Sequence, residues 1–313
     1  MTTLTEAPRL TRQERYLRTV DALSHKRDRE IDSTVRALMS LLGELRGRAL
    51  DRLGGLPERN GTIRPEALGD ARAIADALAA DFGRRLAAIV RVGQTHMWDR
   101  GQLFLPAALW SIGIGRVPPP SLQEAEPKVN VGLERDPNDV DFAFPLIVSP
   151  AQVAAAQELT GEYITAVSQT FRERFRQAVV RNVTGQITLS ELYSITRNLL
   201  SSQPGRTGNV VADAERIVRT ELLRSFSEAA ELRSAELAAQ VSGMKKYWRS
   251  ARDGRVRLAH ISADQRYSEK PIPANAYFEV GGEKMLAPRI GGSARNVVNC
   301  RCVRVDWHPR WGQ

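Results

Sequence analysis

Trp248-Arg-Ser-Ala-Arg-Asp253-Gly-Arg255-Val-Arg257-Leu-Ala-His260, a Gly- and Pro-containing stretch over 261–298, and then Asn299-Cys300-Arg301-Cys302 set the end of this 313-residue chain apart from the rest. Before Lys245 the apolar residues recur at helical spacing. From Lys245 onward they come as short β-branched or aromatic runs: Val256, Ile261, Tyr277-Phe-Glu-Val280, Val297-Val298 and Val303-Arg-Val305. Gly and Pro clusters separate these runs, which is the signature of strands and turns. Gly281-Gly282 and Gly291-Gly292 read as turns, since neither opens a helix that would cradle a phosphate. Residues 245–313 are therefore expected to form a small α+β domain.

The same segment carries the charge. Residues 241–313 hold both cysteines, two of the four histidines, and 14 Lys/Arg against 6 Asp/Glu, which is eight of the nine net positive charges. The remaining 240 residues, with 31 basic and 30 acidic side chains, are close to neutral. A pI near 10.0 points to a polyanionic neighbour such as nucleic acid, or to a solvated basic face.

Upstream the chain reads as helix. Thr11-Arg-Gln-Glu14 is a capping-box pattern. It opens a stripe of Tyr16, Val20, Leu23, Ile31, Val35, Leu38, Leu42 and Leu45, closed by Leu53-Gly-Gly-Leu-Pro57. A second helix is predicted over 64–97. Residues 113–150 hold seven of the sixteen prolines and read as an extended connection. Ser149-Pro150-Ala-Gln152 starts another helix, Thr188-Leu-Ser-Glu191 caps a shorter one, and a strong helix runs over 212–241 to a Ser242-Gly243 C-cap. The expected organisation is a helical region (1–112), a Pro-rich connection (113–150), a second helical region (151–244) and the basic α+β domain (245–313): an α+β chain that is predominantly helical.

No stretch reads as a membrane span or a signal peptide, and two cysteines spaced i, i+2 make no disulfide framework. A reducing cytoplasm fits synthesis. No phosphate loop, dinucleotide fingerprint, His-Glu-x-x-His or Gly-x-Ser-x-Gly occurs.

Two constellations remain. Cys300 and Cys302 on one face of a strand, with His260 third and His308 or Asp253 further, could share a tetrahedral metal ion such as zinc. The preferred alternative is that they pack a compact core, with no cofactor. Arg252, Arg255 and Arg257, grouped about Asp253, together with Arg301, could contact phosphates. Equally, they could form an ion-pair network that fixes a small domain. Trp248 reads as a core anchor.

The ordered set Arg219-Thr-Glu221, Trp248, Asp253-x-Arg255-Val-Arg257-x₂-His260-x₃-Asp264, Phe278, Pro288 and Asn299-Cys-Arg-Cys302 resembles the phage Mu F-like family of minor head, or head-morphogenesis, proteins. The resemblance covers residues 150–306. It departs at Asp264-Gln265, where the family usually has Asp-Gly. It implies a structural core motif of Trp248, Asp253, His260, Asp264, Cys300 and Cys302. It also implies a virion protein made in the host cytoplasm and placed inside the head. Its partners would be the portal protein, packaged double-stranded DNA, and major head or scaffolding proteins, with no membrane and no small-molecule substrate. Relatives can carry appended toxin or ADP-ribosyltransferase domains. Eleven residues follow Cys302, too few for one, so no enzymatic activity is expected. The competing expectations are a DNA-binding protein acting outside the particle, and a metal-dependent nuclease or toxin-like enzyme.

Overall fold

The computed structural model describes residues 10–114, 150–201 and 209–308. Most of the predicted 113–150 connection lies outside the described residues. The architecture is the expected one, predominantly helical with small antiparallel sheets near the C-terminus. Helices α1 (Arg12–Gly54), α2 (Leu68–Trp110), α3 (Pro150–Val183), α4 (Leu189–Leu199) and α5 (Val210–Gln240) precede it. A short hairpin of β1 (Glu58–Arg59) and β2 (Thr62–Ile63) joins the first two. Then follow β3 (Lys245–Arg249), α6 (Leu258–Glu269), β4 (Ile272–Pro273), β5 (Phe278–Val280), β6 (Glu283–Met285), α7 (Ala294–Val297) and β7 (Val303–Trp307).

The two Thr–Glu caps form, while the Ser149 cap lies outside the described residues. Glu14 N donates to Thr11 Oγ1 at 3.2 Å while the Glu14 carboxylate takes the Thr11 amide at 2.8 Å. Thr188 and Glu191 repeat the exchange at the start of α4. Helix α2 runs past the predicted end at 97, through Gly101 and Pro106 to Trp110. Burial of Phe104, Leu105, Ala107, Ala108 and Leu109 outweighs the hydrogen bond that Pro106 cannot donate.

Two compact units form, each from separated stretches of chain: Glu30–Thr95 with Pro150–Leu222, and Met1–Arg29 with His96–Ser149 and Leu223–Gln313. In the first, Leu38, Leu42 and Leu45 of α1, Phe82 and Leu86 of α2, Phe171 and Phe175 of α3, and Val218 of α5 are buried. Phe82 meets Phe171 edge-on at 6.0 Å. Asn182, at the end of α3, takes Ile63 N on its Oδ1 (2.9 Å) and gives its amide to Ile187 O (3.0 Å) and Gly61 O (3.3 Å), so the hairpin is tied to that helix end.

In the second unit, α2 and α5 approach so closely at Gly101 that a Cβ there would lie 2.3 Å from Phe226 O. A three-stranded antiparallel sheet, order β4-β3-β7, pairs Tyr247 with Val305 and Trp248 with Arg304. Helix α6 packs on β3. Hairpin β5–β6 turns through Gly281 (φ 58°) and Gly282 (φ 82°), a two-residue loop that needs positive φ at both positions.

The strand assignment needs correcting in three places. Ile261 lies in helix α6, where its side chain stays exposed, and Val297 is buried in helix α7, although both are β-branched; the context of the surrounding segment overrides a weak local propensity. Residues 251–257 form a loop that ends as the N-cap of α6, so Val256 lies in no strand. Cys300 and Cys302 sit just before β7 rather than within it.

Candidate functional site

The motif residues converge on one buried cluster. Trp248 on β3 is fully buried. Its ring meets His260 of α6 edge-on at 5.3 Å and Phe278 of β5 at 5.5 Å, and Phe278 meets Tyr267 at 4.9 Å. Four aromatic groups from three elements thus make the small domain's core, as expected for the Trp248 anchor. The imidazole of His260, 1% exposed, points Nδ1 at both cysteines: Cys302 Sγ lies at 3.4 Å and Cys300 Sγ at 3.7 Å. His260, Cys300 and Cys302 are the group among the described residues that could hold a metal ion, with ligand atoms within 4.8 Å of one another. His308 and Asp253 are not part of it, which corrects their candidacy. His308 stands against Ser242 O at 3.2 Å, and Asp253 is taken up by Arg301 at 2.7 Å and by Arg255 N at 3.0 Å.

Residues that the sequence did not single out complete the surroundings. Asn296 Oδ1 lies 3.4 Å from His260 Nε2, while its Nδ2 donates to Val280 O (3.1 Å) and Glu283 Oε2 (2.8 Å). Those two acceptors fix the amide orientation, so Nε2 carries a hydrogen toward Asn296 Oδ1 and Nδ1 is the ring nitrogen that faces the sulfurs. Arg289 is 3% exposed and sits at φ 72°, a left-handed conformation uncommon for a long side chain. Its Nη1 donates to Cys300 O (2.6 Å) and Cys302 O (2.7 Å) and lies 4.0 Å from Cys300 Sγ; Nε and Nη2 reach Ser227 Oγ. Burial brings the guanidinium down to about 10. The Cys300 thiol is held well below its usual range by hydrogen bonding from Cys302, and His260 and Arg289 add to that effect.

The basic residues split. Arg252 forks Asp264 at 3.1 and 3.2 Å, and Asp264 also caps Ser250 N and Oγ (3.1 and 2.7 Å). Arg301 bonds Asp253, and Arg257 donates to Val298 O at 2.6 Å. Arg255 stands out at 80% exposure with Asp253 3.6 Å away. Three of the four candidate phosphate contacts are therefore engaged inside the domain, while Arg255 projects from it. Asp253 and Asp264 act as the acceptors that hold this loop.

A second polar network lies behind the sheet. Arg304 forks Asp306 (3.0 and 2.7 Å) and reaches Glu231 (2.6 Å), Ser234 donates to Asp306 at 2.6 Å, and Lys246 Nζ donates to Leu286 O at 2.6 Å. Burial, with Arg304 nearby, brings Lys246 down to about 8. No sequence motif signals this network, since its members are spread over β3, α5 and β7.

No family model matches the chain, and no solved structure matches it. Among curated proteins, it is 23% identical over 181 residues to a protein of Enterococcus faecalis named NAD(+)--arginine ADP-ribosyltransferase EFV. The match takes in 58% of this chain, and the chain spans about a third (34%) of that relative's length. The expectation that this chain has no enzymatic activity is corrected by that similarity, because the relative is named for one.

Proposed function

We propose that this chain is a minor head protein of a tailed phage, prophage or phage-derived particle, associated with the portal on the head interior and acting in head morphogenesis and in DNA packaging or ejection. One observation carries the reading. The residues of the Mu F-like pattern, scattered over 248–302, fold into a single buried core of Trp248, His260, Phe278, Cys300 and Cys302, with Asp253 and Asp264 holding the loop between β3 and α6. A pattern whose members meet in space has a common structural reason, which supports treating it as one domain signature. The basic balance of that domain suits a protein facing packaged DNA. The test is location: purified particles should contain the protein at low copy together with the portal, protected from protease until the head is opened. Finding it only in the soluble lysate would defeat the reading and favour a DNA-binding protein acting outside the particle.

The similarity to the Enterococcus protein favours a second reading, ADP-ribosyl transfer from NAD+ to an arginine. In that reaction the nicotinamide–ribose bond breaks, nicotinamide leaves, and a guanidinium nitrogen takes the ADP-ribose and releases a proton. Incubation of the full chain with labelled NAD+ and an arginine-containing acceptor decides it. Transfer of label supports the second reading, and its absence alongside particle association leaves the first standing alone.

A further inference from the structure

We propose that His260, Cys300 and Cys302 bind one zinc ion through Nδ1 and the two thiolates, with water or hydroxide in the fourth position.

The distances carry this. In a tetrahedral zinc site with Zn–S of ~2.3 Å and Zn–N of ~2.0–2.1 Å, the nitrogen–sulfur edges measure about 3.5–3.6 Å. The two observed edges, 3.4 and 3.7 Å, straddle that length. A thiol–imidazole hydrogen bond explains one such contact. A neutral imidazole whose Nδ1 carries no hydrogen accepts one thiol hydrogen there and leaves the second sulfur in van der Waals contact. An ion on that lone pair serves both sulfurs at once.

The outer contacts agree. A ligating imidazole ordinarily gives its other N–H to an oxygen that fixes its orientation. Asn296 Oδ1 occupies that place, and Glu283 and the Val280 carbonyl hold Asn296. Arg289 lies 4.0 Å from Cys300 Sγ and donates to the carbonyls of both cysteines, so a positive charge faces the paired thiolates. The donor set of two sulfurs and one imidazole selects zinc among the available divalent ions by softness and geometry. No further His, Cys, Asp or Glu joins the group among the described residues, and the proposal assigns the fourth position to a bound water or hydroxide. Such an ion would link α6 to the segment before β7 and so close the small domain.

The experiment uses the full chain, expressed with zinc in the medium and purified without chelator. Elemental analysis is expected to show about one zinc per chain. Titration of chelator-stripped protein with Co2+ is expected to give a thiolate-to-cobalt charge-transfer band and the intense visible bands of tetrahedral cobalt. Cys300→Ser and Cys302→Ser should each reduce that band by at least about half, since one thiolate of the two is removed. Because removing a buried ligand can prevent folding, Asn296→Ala provides an independent arm: it keeps all three ligands and should weaken zinc binding about 10–100-fold. A folded full-length protein that carries no zinc and gives no thiolate–cobalt band on titration would overturn the proposal.

Discussion

Arg249, on β3, forks the carboxylate of Asp21, on α1, with Nε and Nη2 at 2.7 and 2.5 Å, joining residues 228 positions apart. The guanidinium side is buried (6% exposed) and the carboxylate side is half open to water (45%). Removing the carboxylate therefore strands a buried cation. Asp21→Ala is expected to lower stability by about 1–3 kcal/mol, the range for hydrogen bonds to charged groups, discounted for the open side. Replacing both residues with apolar ones should cost less than the single change. Chemical denaturation of the two single variants and the double variant checks this, and equal additivity would show that the pair is not coupled.

Gly101 sets how closely α2 and α5 approach. A Cβ there would meet Phe226 O at 2.3 Å and Ala229 Cβ at 2.8 Å, and backbone cannot turn aside as a side chain can. Gly101→Ala should destabilise by about 1–3 kcal/mol. Gly43→Ala, at a helical position with nothing within 4 Å, should instead stabilise by up to about 1 kcal/mol. Melting curves of the two variants should move in opposite directions.

Lys246 makes stability depend on pH in the alkaline range. Its folded value of about 8 lies below the ordinary 10.5, chiefly through burial and secondarily through Arg304, while Glu231 and Asp306 oppose the shift. Between those values the unfolded chain holds a proton that the folded chain has released. Raising the pH therefore favours the folded state. The melting temperature should rise between about pH 8 and 9.5, before the tyrosines begin to titrate in the unfolded chain. Lys246→Met should flatten that rise. A melting temperature that falls across this window in the parent protein would contradict the assignment.

Arg255 and Arg252 should separate DNA contact from domain support. Arg255 projects into solvent, so Arg255→Gln should leave the melting temperature unchanged and reduce the salt slope of double-stranded DNA binding by about 1. Arg252 holds Asp264, whose side chain is 8% exposed, so Arg252→Gln should lower the melting temperature. Binding isotherms over a salt series, with melting curves on the same samples, test both. An unchanged salt slope in Arg255→Gln would remove this residue from any DNA surface.

The sequence by itself determined the helices and their starts. Thr11/Glu14 and Thr188/Glu191 are local exchanges between residues three apart, and the stripes on α1 and α5 follow from helical spacing alone. It also marked Trp248, His260, Cys300 and Cys302 as a set, because both cysteines of the protein and an ordered pattern fall in one segment. Tertiary structure decided the rest. Helix α2 continues through Pro106 because buried neighbours compensate, and exposed Ile261 joins a helix whose other face, with His260, Ala263 and Tyr267 buried, packs on β3. Arg289, Asn296 and Glu283 surround the His–Cys cluster, but they stand on a loop, the four-residue helix α7 and a short hairpin strand, too brief for periodicity, so nothing local predicts where their polar atoms point. The same holds for Arg249 with Asp21 and for Arg304 with Glu231. A buried charge is specified by the partner that desolvation forces it to find, and that partner becomes adjacent only when the chain has folded.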